Sequence, residues 1–212
     1  PARHGAENLM RNVHERVSRL KAQASQRIAD PVECFKLLAA LGELAFRDWS
    51  PARLPDDFMR KLSASVTSCK SDLRAALGDS AWLPNCIEQG LVEELEALNA
   101  ARLTTELSLA SSLKGFHGGE TPLELRMRLS KTSYEVDSYV LRHLDQLAYA
   151  LAMARDLGIP VSEGFTQRAR SEEDAVRAFL ARVGPVFESA EDSLYPTYPE
   201  LFPASFWWRR RP

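Results

Sequence analysis

Apolar residues recur along this chain at intervals of three and four, and no stretch alternates strictly between apolar and polar positions. That spacing lays one apolar stripe along an α-helix, so the pattern predicts an all-α protein. The first predicted helix runs over 6–29, with Met10, Val13, Val17, Leu20, Ala24 and Ile28 as its stripe. The second, over 31–47, confines its polar positions to Glu33, Lys36, Glu43 and Arg47. Phe35, Leu37, Leu38, Leu41, Leu44 and Phe46 then cover most of its circumference, which places it in the middle of a bundle. The third, over 55–77, carries a single stripe of Phe58, Met59, Leu62, Val66, Cys69, Leu73 and Ala76.

Two long helices follow, over 84–113 and 122–157, joined by a glycine-containing stretch at 114–120. They are expected to form an antiparallel hairpin that serves as the spine, with Gly90 and the polar run 130–133 as places for a bend. A shorter helix is expected from Glu172, after a loop over 158–170. Helix boundaries carry capping chemistry: Asp30-Pro31-Val32-Glu33, Thr121-Pro122-Leu123-Glu124 and Ser171-Glu172-Glu173-Asp174 each set an acceptor ahead of a first turn with a carboxylate at its third position or nearby. Gly78 and Gly158 are the expected stops. The whole reads as a multi-helix bundle of about six helices forming one domain over 1–194. A tail over 195–212 follows, in which prolines at 196, 199 and 203 forbid a helix and favour extended chain.

Composition changes this picture little. With 212 residues, 45% of them hydrophobic, the chain can bury a core without disulfides or metals. A formal net charge of -2 weighs against a dedicated nucleic-acid binder. The three cysteines, Cys34, Cys69 and Cys86, are odd in number and form no CxxC pair. Free, buried thiols in a reducing compartment follow, and with no signal-like or membrane-spanning run the expected setting is the cytoplasm.

Candidate chemistry is sparse. The sequence holds no phosphate-binding glycine loop, zinc-protease motif, nucleophile elbow or paired-cysteine zinc pattern. No metal and no cofactor are expected, and the chain is read as a non-enzyme. Ser111-Ser112-Leu113-Lys114 has the spacing of an SxxK motif without its companions. His143 falls on the stripe of the fifth helix among Val136, Tyr139, Val140, Leu144, Leu147 and Leu151. A core histidine with one hydrogen bond is favoured there over a base or ligand. Arg102 and Glu106, four residues apart, could be a buried ionic site that meets His143, but a pair that reaches solvent is favoured, since pairs at this spacing are commonplace. Cys69 reads as a small buried hydrophobe.

Two clusters remain as binding candidates. Arg11, Arg16, Arg19 and Arg27 line the outer face of the first helix, and Arg209, Arg210 and Arg211 end the chain. These could contact phosphates or another anionic surface. The tail carries Tyr195, Tyr198, Phe202, Phe206, Trp207 and Trp208, an aromatic density that calls for burial on the bundle itself or on a partner. The expectation is a helical scaffold or adaptor that binds another protein through helix faces and this tail. Nucleic-acid or anionic-surface binding through the arginines stands second. An enzyme or ligand-binding bundle around His143 stands third.

Overall fold

A computed structural model describes residues 2–113, 124, 127, 131 and 134–194, with side chains up to 109 and, beyond the gap, up to 185. Among the described residues there are six α-helices and no strand. They are α1 (Ala2–Gln26), α2 (Pro31–Phe46), α3 (Asp56–Asp79), α4 (Leu83–Leu113), α5 (Arg142–Asp156) and α6 (Glu163–Leu194). A 3₁₀ turn at Ser50–Ala52 links α2 to α3, and a π-helical turn at Val136–Leu141 leads into α5. The all-α bundle expected from the periodicity is what the chain forms. The turn at 114–123, the capping box at 121–124 apart from Glu124, most of 130–133 and the tail at 195–212 lie outside the described residues.

The chain gathers into two compact units. The first comprises Pro1–Leu95 with Asp145–Thr166, the second Glu96–Leu144 with Gln167–Pro212.

In the first unit α2 is the centre, for the reason its sequence suggests. Cys34, Phe35, Leu37, Leu38, Ala39, Leu41, Gly42 and Leu44 are all buried. The Asp30 side chain caps the helix by accepting from Val32 N at 2.9 Å, and Pro31 at the first helical position loses no bond there. Helices α1 and α3 flank it with the expected stripes, Val13, Val17 and Leu20 on one and Phe58, Leu62, Cys69 and Leu73 on the other. Two glycines set how near its remaining neighbours come. A Cβ on Gly42 would run into the Tyr149 carbonyl of α5, and one on Gly90 of α4 into the Pro31 carbonyl. Gly90 is therefore a close-crossing residue inside α4, where a kink was the expectation. Phe46 departs from its expected core position: it is 45% exposed at the last turn of α2, with Lys70 Nζ 6.0 Å from its ring centre.

Helix ends explain most other differences. Helix α1 stops at Gln26, short of the expected 29. Arg27 adopts a left-handed φ of 57°, with Arg27 N bonded to Ala24 O and Ile28 N to Gln23 O. This is a Schellman stop built without glycine, and it leaves Ile28, expected on the stripe, 61% exposed. The same pair of bonds closes α5 at Gly158, whose φ is 74°, as the sequence suggests. Gly78 lies inside α3, which continues to Asp79. Helix α6 begins at Glu163, well before the expected 172. Ser162 caps it, its Oγ accepting from Phe165 N at 3.3 Å while its own N–H donates to Glu88. Ser171 is then an interior residue.

In the second unit Leu98, Leu109, Val136, Val140, Val176 and Phe179 form the interior. The π turn shifts the helical phase. Val136 and Val140, four apart, both point inward, while Tyr139 stands 50% exposed and leaves the stripe predicted for it.

Candidate functional site

Arg102 lies on α4 within the second unit, with only 13% of its side chain exposed. Its Nε donates to Glu172 Oε1 at 2.5 Å and its Nη2 to Glu172 Oε2 at 3.4 Å, a two-pronged pairing with α6. Nη1 reaches Glu106 at 3.4 Å and Nη2 also reaches Asn99 at 3.0 Å. Glu106 in turn receives Arg182. The hydrogen bond to Glu172 raises the already high pKa of Arg102 and keeps it charged. Of the two alternatives for Arg102 and Glu106, the structure brings the pair into a half-buried ionic cluster. Its main partner, Glu172, was assigned to a helix start by the sequence. Only the meeting of α4 and α6 reveals the pairing. His143 is half-buried.

The same unit carries large apolar side chains at its surface. Leu103 is 48% and Leu107 74% exposed, four residues apart on one face of α4. Tyr134 and Tyr139 are 61% and 50% exposed and meet edge to face, ring centres 6.2 Å apart. Ser108 Oγ donates to Glu135 at 3.4 Å, which sets the turn carrying Leu107 beside the one carrying Tyr134. Sequence periodicity overlooks this surface because an exposed leucine on a long helix looks like slight phase drift.

The arginine stripe on α1 is partly occupied within the first unit. Arg16 Nη1 lies 2.5 Å and Arg19 Nη1 3.6 Å from Glu33 Oε2, the residue at the third position of α2. Arg11 is exposed and bonds Asn8, and Arg27 is exposed at the helix stop. Tyr195, Tyr198, Phe202, Phe206, Trp207, Trp208 and the terminal arginines, Arg209 to Arg211, lie outside the described residues, as do the side chains of the SxxK segment.

Three further features of the first unit have no sequence motif. A cleft of about 470 Å³ lies between α2 and α3, walled by Leu44, Leu54, Met59, Leu62 and Val66. Trp49 stands at its edge, its Nε1 donating to Leu44 O at 3.3 Å and the Arg47 guanidinium 4.8 Å from its ring centre. On α3, Cys69 Sγ lies 3.5 Å from His14 Nδ1, and His14 Nε2 lies 2.8 Å from Ser65 Oγ. This Ser–His–Cys chain sets a hydroxyl against an imidazole, with a thiol where a catalytic triad has a carboxylate. Burial pushes the Cys69 thiol up to about 11, so it stays neutral. Cys34 and Cys86 bring their sulfurs to 3.8 Å. No group of three or more metal-ligating side chains with suitable placement occurs among the described residues, and no described helix is long and apolar enough to cross a membrane.

No family model matches this sequence, and no curated protein or solved structure matches it either.

Proposed function

We propose that this chain is a non-enzymatic interaction module, a helical scaffold or adaptor that binds another protein through an apolar surface of its second unit and through the tail over 195–212. The observation that carries this reading is the exposure of Leu103, Leu107, Tyr134 and Tyr139 on neighbouring turns of one unit. Single exposed apolar residues are ordinary, but two leucines one turn apart and an edge-to-face tyrosine pair, on turns linked by the Ser108–Glu135 bond, support a protein-binding surface. The Arg102–Glu172 pair ties α4, which carries Leu103 and Leu107, to α6, and a helix held in place costs less to order on binding. The six tail aromatics add the residue types that anchor interfaces.

Binding of an anionic surface through Arg11, Arg16, Arg19 and Arg27 stands second, because Glu33 already neutralises part of that stripe. The setting remains cytoplasmic on the same proposal.

The test is affinity capture with the full chain and with a chain lacking 195–212, followed by a salt titration of whatever is retained. The proposal expects a stoichiometric protein partner, lost or weakened on truncation, whose retention changes little with salt. Retention of nucleic acid alone, falling steeply as salt rises, would replace it with the anionic reading.

A further inference from the structure

We infer that Cys34 and Cys86 are a disulfide-forming pair, through which a hydroperoxide or a small-molecule disulfide can staple the first turn of α2 to the first turn of α4. Both residues belong to the first unit, 52 positions apart in the chain. Their sulfurs are 3.8 Å apart, a van der Waals contact from which a bond of about 2.05 Å needs an approach of less than roughly 2 Å.

The contact is built into the packing. Gly90 is one turn beyond Cys86, and Pro31 lies three residues before Cys34. The missing Cβ of Gly90 is what lets the Pro31 carbonyl and Phe35 approach α4 so closely. The two sulfurs thus meet beside a close approach of α2 and α4. Cys86 Sγ is oriented by donating to Ala29 O at 3.3 Å. Cys69, the third cysteine, touches His14 and has no thiol beside it among the described contacts, so it is an internal reference.

The chemistry balances with hydrogen peroxide as oxidant, and an organic hydroperoxide releases its alcohol in place of the first water. Cys86, 8% exposed against 1% for Cys34, is the first to react. Its thiolate attacks the peroxide, the O–O bond breaks, and a sulfenic acid forms as one water leaves. The Cys34 sulfur then displaces the sulfenic oxygen, the S–S bond forms, and a second water carries away the oxygen and the last thiol proton. Two thiols lose two electrons and the peroxide gains them. With a disulfide such as oxidised glutathione, two successive exchanges give the same bond and two released thiols. Burial and the neighbouring Asp30 raise both thiols above their ordinary pKa. The reaction is therefore slow at neutral pH and quickens as pH rises.

The test uses the full chain, oxidised with hydrogen peroxide or glutathione disulfide at several pH values. It is then alkylated after unfolding and mapped by mass spectrometry. The inference expects a chain two hydrogens lighter, a cross-linked peptide pair containing Cys34 and Cys86, alkylated Cys69, and a melting temperature raised by several degrees because the unfolded chain is now looped. Cys34→Ser should abolish the cross-link. Gly90→Ala, which pushes the crossing apart, should slow it at least several-fold in a chain that still melts cooperatively. If Gly90→Ala fails to fold, the wild-type mapping and Cys34→Ser decide alone. Three free thiols after prolonged oxidation at alkaline pH would overturn the inference. So would Cys86 halted as a sulfinic acid or a mixed disulfide, or a bond that engages Cys69.

Discussion

The first unit leaves large apolar side chains exposed at helix ends, at Ile28, Val32 and Phe46, whereas the second exposes Leu103 and Leu107 within α4 and the tyrosine pair Tyr134 and Tyr139. Around α2, four leucines with Phe35, Cys34 and Ala39 are buried over more than half of the helix's circumference, two glycines let neighbouring backbones close in, and all three thiols are out of solvent. In the second unit the interior is anchored by Phe179, Val176 and a pair of π-turn valines. A charged cluster, Arg102 with Glu172 and Glu106, lies half inside, and Leu103, Leu107, Tyr134 and Tyr139 face out. On the proposed function, the difference would place stability and recognition in different parts of this chain. The exposed apolar residues of the first unit sit singly at helix ends, while the leucine pair on α4 and the tyrosine pair are the ones the proposed function assigns to a partner.

The comparison breaks most readily at α2. Leu38→Ala should destabilise the protein by about 2–5 kcal/mol, the range for removing a buried leucine from a close-packed core. Phe46→Ala, on the same helix but 45% exposed, should cost well under half as much by chemical denaturation. Equal losses would mean that α2 is not the centre of its unit.

The ionic cluster comes next. Glu172→Gln keeps the shape of the side chain but removes the charge opposite Arg102, both of them only 13% exposed. A loss of about 1–3 kcal/mol is expected, since the guanidinium then stays half-buried with a weaker partner. A loss near zero would show that the pair behaves like an ordinary surface bridge.

Alkaline pH sharpens the contrast from the other side, because the buried thiols belong to the first unit alone. Burial raises Cys69 from 9.0 to about 11, and Cys34 and Cys86 shift upward as well. A thiol that is harder to ionise when folded leaves stability intact below its unfolded pKa. Above it the unfolded chain releases the proton first. Stability should therefore fall as pH climbs from about 9 towards 11, and Cys69→Ala should flatten part of that slope. An unchanged slope in the variant would remove Cys69 from the account.

Much of this architecture is legible in the sequence, and the exceptions share a cause. The α2 core, the stripes of α1 and α3, the Asp30 cap and the Gly158 stop all follow from local periodicity and capping chemistry. Arg27 ends α1 in a conformation normally given to glycine, so nothing marks the stop in the sequence. Ser162 and Ser171 both precede acidic residues, and the choice between them turns on the Glu88 contact and the core positions of Phe165 and Ala169. Gly90 looks like a flaw in a helix until the neighbour it admits is known. The π turn at 136–141 moves Tyr139 off a stripe that an ideal helix would give it. For the candidate surface, Arg102 and Glu106 were visible as a pair, but Glu172 and the exposed Leu103, Leu107 and tyrosine pair arise only when segments far apart in sequence meet. The tail was legible only as composition.

The smallest expected effect on stability belongs to the surface that matters most for the proposal. Leu103→Asp combined with Leu107→Asp replaces two exposed side chains, so unfolding free energy should change by no more than about 0.5 kcal/mol per site. The decisive measurement is quantitative affinity capture with the wild-type chain and this double variant, at matched folded concentration checked by thermal melting. If the second unit is the recognition surface, the double variant melts with the wild type and retains at least tenfold less of the partner. A double variant that melts normally and retains the same partner in the same amount would contradict the account.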